Sequence, residues 1–107
     1  GDAMSYTDKK EITIIHKCGG CRKKQTFINT RRFRVNANGG RLDVWLIYQC
    51  KKCKHTLNIP IYERISRNKV PEELYERFLC NDEELALEYG TNDSFFKSRH
   101  YEIKKQV

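Results

Sequence analysis

The chain has two prolines and a single tryptophan in 107 residues, and no stretch rich in serine, proline or glycine parts it into separate units. Its longest apolar run, Val44-Trp45-Leu46-Ile47-Tyr48, is far short of the ~20 residues that a membrane-spanning helix needs. No signal-peptide pattern opens it. It also lacks a Ser/His/Asp signature, a phosphate-cradling loop and a metal site with an open position, so an enzyme is not expected. A soluble, cytoplasmic domain with no membrane partner is therefore expected.

A chain of this length buries only roughly 60–70% of the surface it exposes when unfolded. With 38% apolar and 33% charged residues, it needs a staple beyond its core. Gly1-Asp2-Ala3 ahead of the only methionine, Met4, resembles the remnant of a cleaved tag, so residues 1–4 are set apart. Residues 5–107 then read as one domain, with a β-rich part over 5–66 and a helical extension over 67–107.

The staple is in the cysteines. There are five, an odd number, and four form two C-x-x-C pairs, Cys18/Cys21 and Cys50/Cys53, which is metal-site spacing and not a secreted disulfide framework. Zinc takes four thiolates at about 2.3 Å in a closed tetrahedron. The two pairs would supply all four, leaving no position for a catalytic water. One structural zinc per chain and a reducing compartment follow. The 28 residues between the pairs exceed the usual spacing of ribbon knuckles, and a hairpin at Asn38-Gly39-Gly40 absorbs the excess. The alternatives are a redox dithiol, metal-free thiols, or a mixed site in which His16 or His55, each two residues from a cysteine, replaces a thiolate. Cys80, far from both pairs, is expected to be a buried or half-buried free thiol.

Alternating β-branched and aromatic residues mark strands over Glu11–His16, Gln25–Ile28, Arg32–Ala37, Leu42–Gln49 and His55–Tyr62, and Pro60 suggests an edge strand or a strand end for the last. Asn38-Gly39 supplies the positive φ angles of a tight turn. The final third turns helical: Pro71–Leu79 has proline at a first helical position and acids in the first turn. Asn81–Gly90 carries an Asn…Glu capping box and a terminating glycine. Asn92–Tyr101 has room for a third short helix. The fold class is thus α+β: a zinc ribbon on antiparallel hairpins, followed by two or three short helices.

The charge is lopsided. Through residue 54 there are 13 Lys and Arg against 4 Asp and Glu; beyond it the counts are 8 and 10. Lys23, Lys24, Arg31, Arg32, Arg34, Arg41, Lys51 and Lys52 crowd the knuckles and hairpin, a candidate phosphate-binding face. Knuckle lysines also neutralise the charge of about −2 on a four-thiolate zinc centre, but that does not account for the strand arginines. Alternation puts Arg32 and Arg34 on the face opposite Phe33 and Val35. Trp45, within an apolar run, is expected in the core, with a stacking platform for a base as the less favoured alternative.

The stretch from Arg32 to Tyr48, ending in Cys50 and Cys53, resembles a bacterial family known as domain of unknown function 1062, and Leu74-Tyr75-Glu76-Arg77-Phe78 and Asn81–Ala86 are similar to it too. The resemblance implies a bacterial origin and a zinc-ribbon core with its ligands at Cys18, Cys21, Cys50 and Cys53. It implies no function. Leu57 stands where an aromatic would be expected after the second knuckle. Two functions compete. The first is a nucleic-acid module binding RNA or the ribosome through the basic β face. The second is a protein-interaction adaptor or homodimer using Tyr75, Phe78, Tyr89, Phe95 and Phe96 of the helical part.

Overall fold

A two-residue turn sets the register of the sheet. Asn38 pairs with Arg41, and between them Gly39 and Gly40 both take left-handed angles, φ 59° and 76°, the mirror-image turn whose twist matches the flanking strands. The left-handed pair is thus Gly-Gly, one residue later than Asn38-Gly39. In this computed structural model, which describes residues 11–103, the strands are β1 (Thr13–Cys18), β2 (Lys23–Asn38), β3 (Arg41–Cys50), β4 (Thr56–Ser66) and β5 (Glu102–Ile103). They form one antiparallel sheet in the order β4-β3-β2-β1-β5. The tag-like residues 1–4 lie outside the described residues.

The register decides which side chains face the core. Along β3, Leu42, Val44, Leu46, Tyr48 and Cys50 are fully buried, while Asp43, Trp45, Ile47 and Gln49 between them are only partly covered. Strand side chains alternate between faces, so a run of five apolar residues cannot all point inward. Trp45 therefore lies on the open face, not in the core. On β2 the same alternation buries Phe33 and exposes Arg32 and Arg34.

Two strands expected on either side of residues 29–31 are one. β2 runs 16 residues and carries a bulge between Asn29 and Arg32. There the Asn29 side chain accepts a bond from the Arg31 amide at 2.6 Å, Arg31 takes φ 63°, and Thr30 Oγ1 donates to the Ile47 carbonyl. These local bonds satisfy the bulged backbone without the chain leaving the sheet. On the far side, Pro60 sits in edge strand β4, as expected of a residue with no amide proton. The Arg99 guanidinium covers part of that edge, donating to the Pro60 carbonyl at 2.7 Å and the Ile61 carbonyl at 3.3 Å.

Three helices, α1 (Glu72–Leu79), α2 (Glu83–Gly90) and α3 (Asp93–Ser98), cover the buried face. Phe78 of α1 meets Phe33 edge-on at 5.0 Å between ring centroids and Tyr62 at 6.0 Å; Phe96 of α3 meets Tyr48 at 5.8 Å. Pro71 stands one residue before α1, at its N-cap position and not at the first helical residue, and makes no side-chain capping bond. The cap of α2 is Asp82, whose carboxylate accepts from the amides of Glu84 and Leu85. Arg77, 2.6 Å from that carboxylate, holds it below the usual range. Asn81, the expected cap, instead accepts from the Phe33 amide and so ties the helices to β2.

Gly90 does not end α2 by left-handed geometry; it is the last helical residue, with Thr91 as the cap. It is small because a methyl group there would stand 2.6 Å from Asn29 Nδ2, 2.9 Å from Ile12 Cγ2 and 3.2 Å from the Tyr48 hydroxyl. The Asn29 and Tyr48 atoms belong to a buried polar junction in which Asn29 Nδ2 donates to the Ala86 carbonyl and the Tyr48 oxygen. Gly90→Ala is expected to destabilise by about 1–3 kcal/mol despite its better helix propensity, because the helix must back away from the sheet. Denaturant unfolding of the two proteins measures it.

Candidate metal centre

Cys18 closes β1 and Cys50 closes β3, on the two neighbours of β2, so both strands reach the same end of the sheet. Each then enters the same knuckle. The Arg22 amide donates to the Cys18 carbonyl at 2.7 Å and the Lys54 amide to the Cys50 carbonyl at 3.0 Å. Arg22 and Lys54, one residue past each pair, both adopt left-handed angles, φ 62° and 68°. Amides also point at sulfur: Cys21 N lies 3.4 Å from Cys18 Sγ, and Lys52 N lies 3.4 Å from Cys50 Sγ. Placing a side chain in the left-handed region costs about 1–2 kcal/mol, and here two such residues hold matched turns open around one point.

The four sulfurs converge. Those of Cys18, Cys21, Cys50 and Cys53 all lie within 4.8 Å of one another, and the Cys18 and Cys53 sulfurs are 3.4 Å apart. Bonds of about 2.3 Å from one zinc ion would set tetrahedral sulfur–sulfur distances of about 3.8 Å, inside that range. The donor set thus fits a metal ion. Cys18 and Cys50 are wholly buried, whereas Cys53 is exposed. Desolvation and thiol neighbours push the Cys21 thiol up to about 12. Burial also works against Cys50 ionising, but amide donation from Cys53 and Lys52 outweighs it and brings that thiol down to about 7. Four thiolates so close cannot coexist without a cation, and amides aimed at sulfur favour the charge a cation would compensate.

Neither histidine belongs to the four-sulfur group. His16 rests against Tyr101, with ring centroids 4.9 Å apart, and His55 packs beside Gly20, where an added methyl would lie 3.0 Å from its Nδ1. Cys80 lies outside the cluster at the end of α1 and is exposed, not buried, because the helix turns its last residues outward past Phe78. The need for Gly20 beside Cys53 and for left-handed residues after each pair went unread in the sequence. Arginine and lysine occupy those left-handed positions where glycine would have been the signal.

The eight basic candidates do not form one patch. Lys24 is ion-paired with Glu102 at 3.0 Å and Lys51 with Glu11 at 2.9 Å. Lys23 and Lys52 are exposed at the knuckles, and Arg31 is half-buried at the bulge. Arg41 lies at the opposite end of β3, its Nη1 donating to the Arg64 carbonyl at 3.3 Å. Arg32 and Arg34 stand exposed on the open face and have no ion-pair partner among the described residues. Their cross-strand partners are Ile47 and Trp45. The helix-side aromatics face inward instead: Phe78, Phe95 and Phe96 are buried, Tyr75 and Tyr89 are half-buried, and Leu79 is the one large apolar side chain there left exposed. No helix among the described residues is long and apolar enough to cross a membrane.

A family model described as a protein of unknown function, DUF1062, matches residues 35–107. The chain belongs to the DUF1062 family. The DUF1062 match takes in Cys50 and Cys53, the open-face Trp45 and all three helices, and it begins after Cys18 and Cys21. No curated protein and no solved structure matches the chain.

Proposed function

We propose that this chain is a zinc-stapled, non-catalytic binding module whose open β face docks nucleic acid, with cytoplasmic RNA or the ribosome as its partner. The observation that carries the proposal is the division of the sheet. Helices take one face, and the other presents exposed Arg32 and Arg34 beside a half-exposed tryptophan. Guanidinium groups without an ion-pair partner among the described residues, on the open face of a sheet, suit a phosphate backbone, and the chain's formal net charge of +7 strengthens the attraction at long range. Zinc is favoured over other metals because four thiolates are a soft tetrahedral donor set. Four protein ligands leave the ion no open coordination position, which supports a structural role.

Retention on immobilised RNA at rising salt tests the proposal. Binding is expected to weaken as salt rises, and Arg32→Gln with Arg34→Gln should lower the log–log slope by roughly 0.7–0.9 per contact. Metal content and melting temperature should stay unchanged, since both side chains are exposed. A double variant that keeps the parent affinity and slope, or a parent that does not bind at low salt, would sink it.

A further inference from the structure

On the open face two cross-strand rows lie side by side: Arg34, Trp45 and Pro60 in one, Arg32, Ile47 and Asn58 in the next. Directly opposed residues in such rows have Cβ atoms about 4.5–5.5 Å apart, and diagonal neighbours stand about 7–8 Å apart. Trp45 therefore has one arginine beside it and a second a diagonal step away. The two arginines are two residues apart on β2, a rise of about 6.6 Å, which is the scale of one backbone repeat in an extended strand of nucleic acid. Asp43, the acid nearest along β3, already accepts the Arg64 amide at 2.8 Å.

We infer that Trp45, Arg32 and Arg34 form a site for single-stranded nucleic acid, in which a base stacks on the indole and the adjoining phosphates meet the two guanidinium groups. The inference rests on the nucleic-acid reading above and narrows its ligand. Stacking needs a base whose π-face is free, and in a duplex both faces of each base are covered by neighbours. A side chain on a flat sheet also cannot reach base edges at the floor of a major groove about 8.5 Å deep. A second copy of the chain is a poorer occupant, although Ile15, Ile28 and Ile47 add half-exposed apolar area. A two-fold interface would press two copies of the same arginine-bearing face together, with no acid on β2 between Arg32 and Arg34 to offset the like charge.

The only tryptophan in the chain sits in the proposed site, so its fluorescence reports on that face directly. The probes are oligouridine, oligothymidine and a blunt DNA duplex of equal phosphate content, added to the full, metal-loaded chain. Single strands are expected to quench Trp45 and to bind at least about ten-fold more tightly than the duplex at the same salt. Trp45→Leu should weaken single-strand binding, read by anisotropy of a labelled oligonucleotide, by roughly 5- to 150-fold. Trp45→Phe should recover most of that loss, with metal content and melting temperature held in both variants. If the duplex binds as well as the single strands and Trp45→Leu changes nothing, the stacking site is wrong while the basic-face reading stands. If neither probe binds at low salt, both fall. A tryptophan signal that shifts with protein concentration alone would overturn the inference in favour of self-association.

Discussion

Removing the metal from the reduced chain is expected to unfold the sheet at its knuckle end and to abolish cooperative melting. Structural zinc contributes on the order of 10–16 kcal/mol in small thiolate sites, against a total stability of about 5–15 kcal/mol for a domain. The reason is geometric: the two knuckles that hold the sulfurs within 4.8 Å of one another are also the turns that join β1 to β2 and β3 to β4. Without a cation the four thiols cannot all ionise, and the left-handed Arg22 and Lys54 lose what compensates them. Cys18→Ser or Cys50→Ser should lose metal and fold together, whereas Cys80→Ser should keep one zinc per chain. Binding displaces thiol protons, so metal affinity should fall as pH drops. Elemental analysis with circular dichroism decides it: well-folded, reduced, metal-free protein would refute the staple, and metal loss in Cys80→Ser would show that the ligand set is wrong.

The two faces of the sheet should respond oppositely to losing an aromatic ring. Phe78→Ala is expected to cost about 3–5 kcal/mol, because Phe78 is buried and its ring touches Phe33, Tyr62 and Tyr89 at once, joining α1 to the sheet and to α2. Trp45→Ala, although it removes a larger side chain, should cost less than about 1.5 kcal/mol, since it opens no enclosed cavity. Denaturant titration of both variants checks the contrast. A Trp45→Ala penalty as large as that of Phe78→Ala would mean that the open face is covered in solution, and the single-strand site would then lose its platform.

Much of the site was legible from spacing alone, because C-x-x-C constrains two ligands locally and a second copy of the motif completes the set. The sulfur cluster formed by Cys18, Cys21, Cys50 and Cys53 matches that expectation. The edge position of β4 was open to a similar reading, since Pro60 cannot donate within a central strand, whereas the last helix was no more than a possibility in the sequence, and the Asn92 side chain that accepts from the Phe95 amide at its start went unread. Less legible were elements whose partners are remote in sequence. β5 pairs Glu102 and Ile103 with Ile15 and Ile14, a two-residue strand with no pattern of its own. The Asn81 side chain, which reads locally as a helix cap, is claimed by the Phe33 amide 48 residues away.

By itself, then, the sequence determined the four-cysteine set, a hairpin within Asn38-Gly39-Gly40, the strand periodicity and the helical final third, because each is written in residues near one another along the chain. Tertiary structure alone decided which side of each strand met the helices. That choice put Trp45 beside Arg34 instead of beside Phe78, set Gly90 against Tyr48, and engaged Lys24 and Lys51 with acids far along the chain. The physical reason is that a period of two marks two faces but does not label them. The label comes only when the helices bury their aromatic rings against one face and leave the other to solvent.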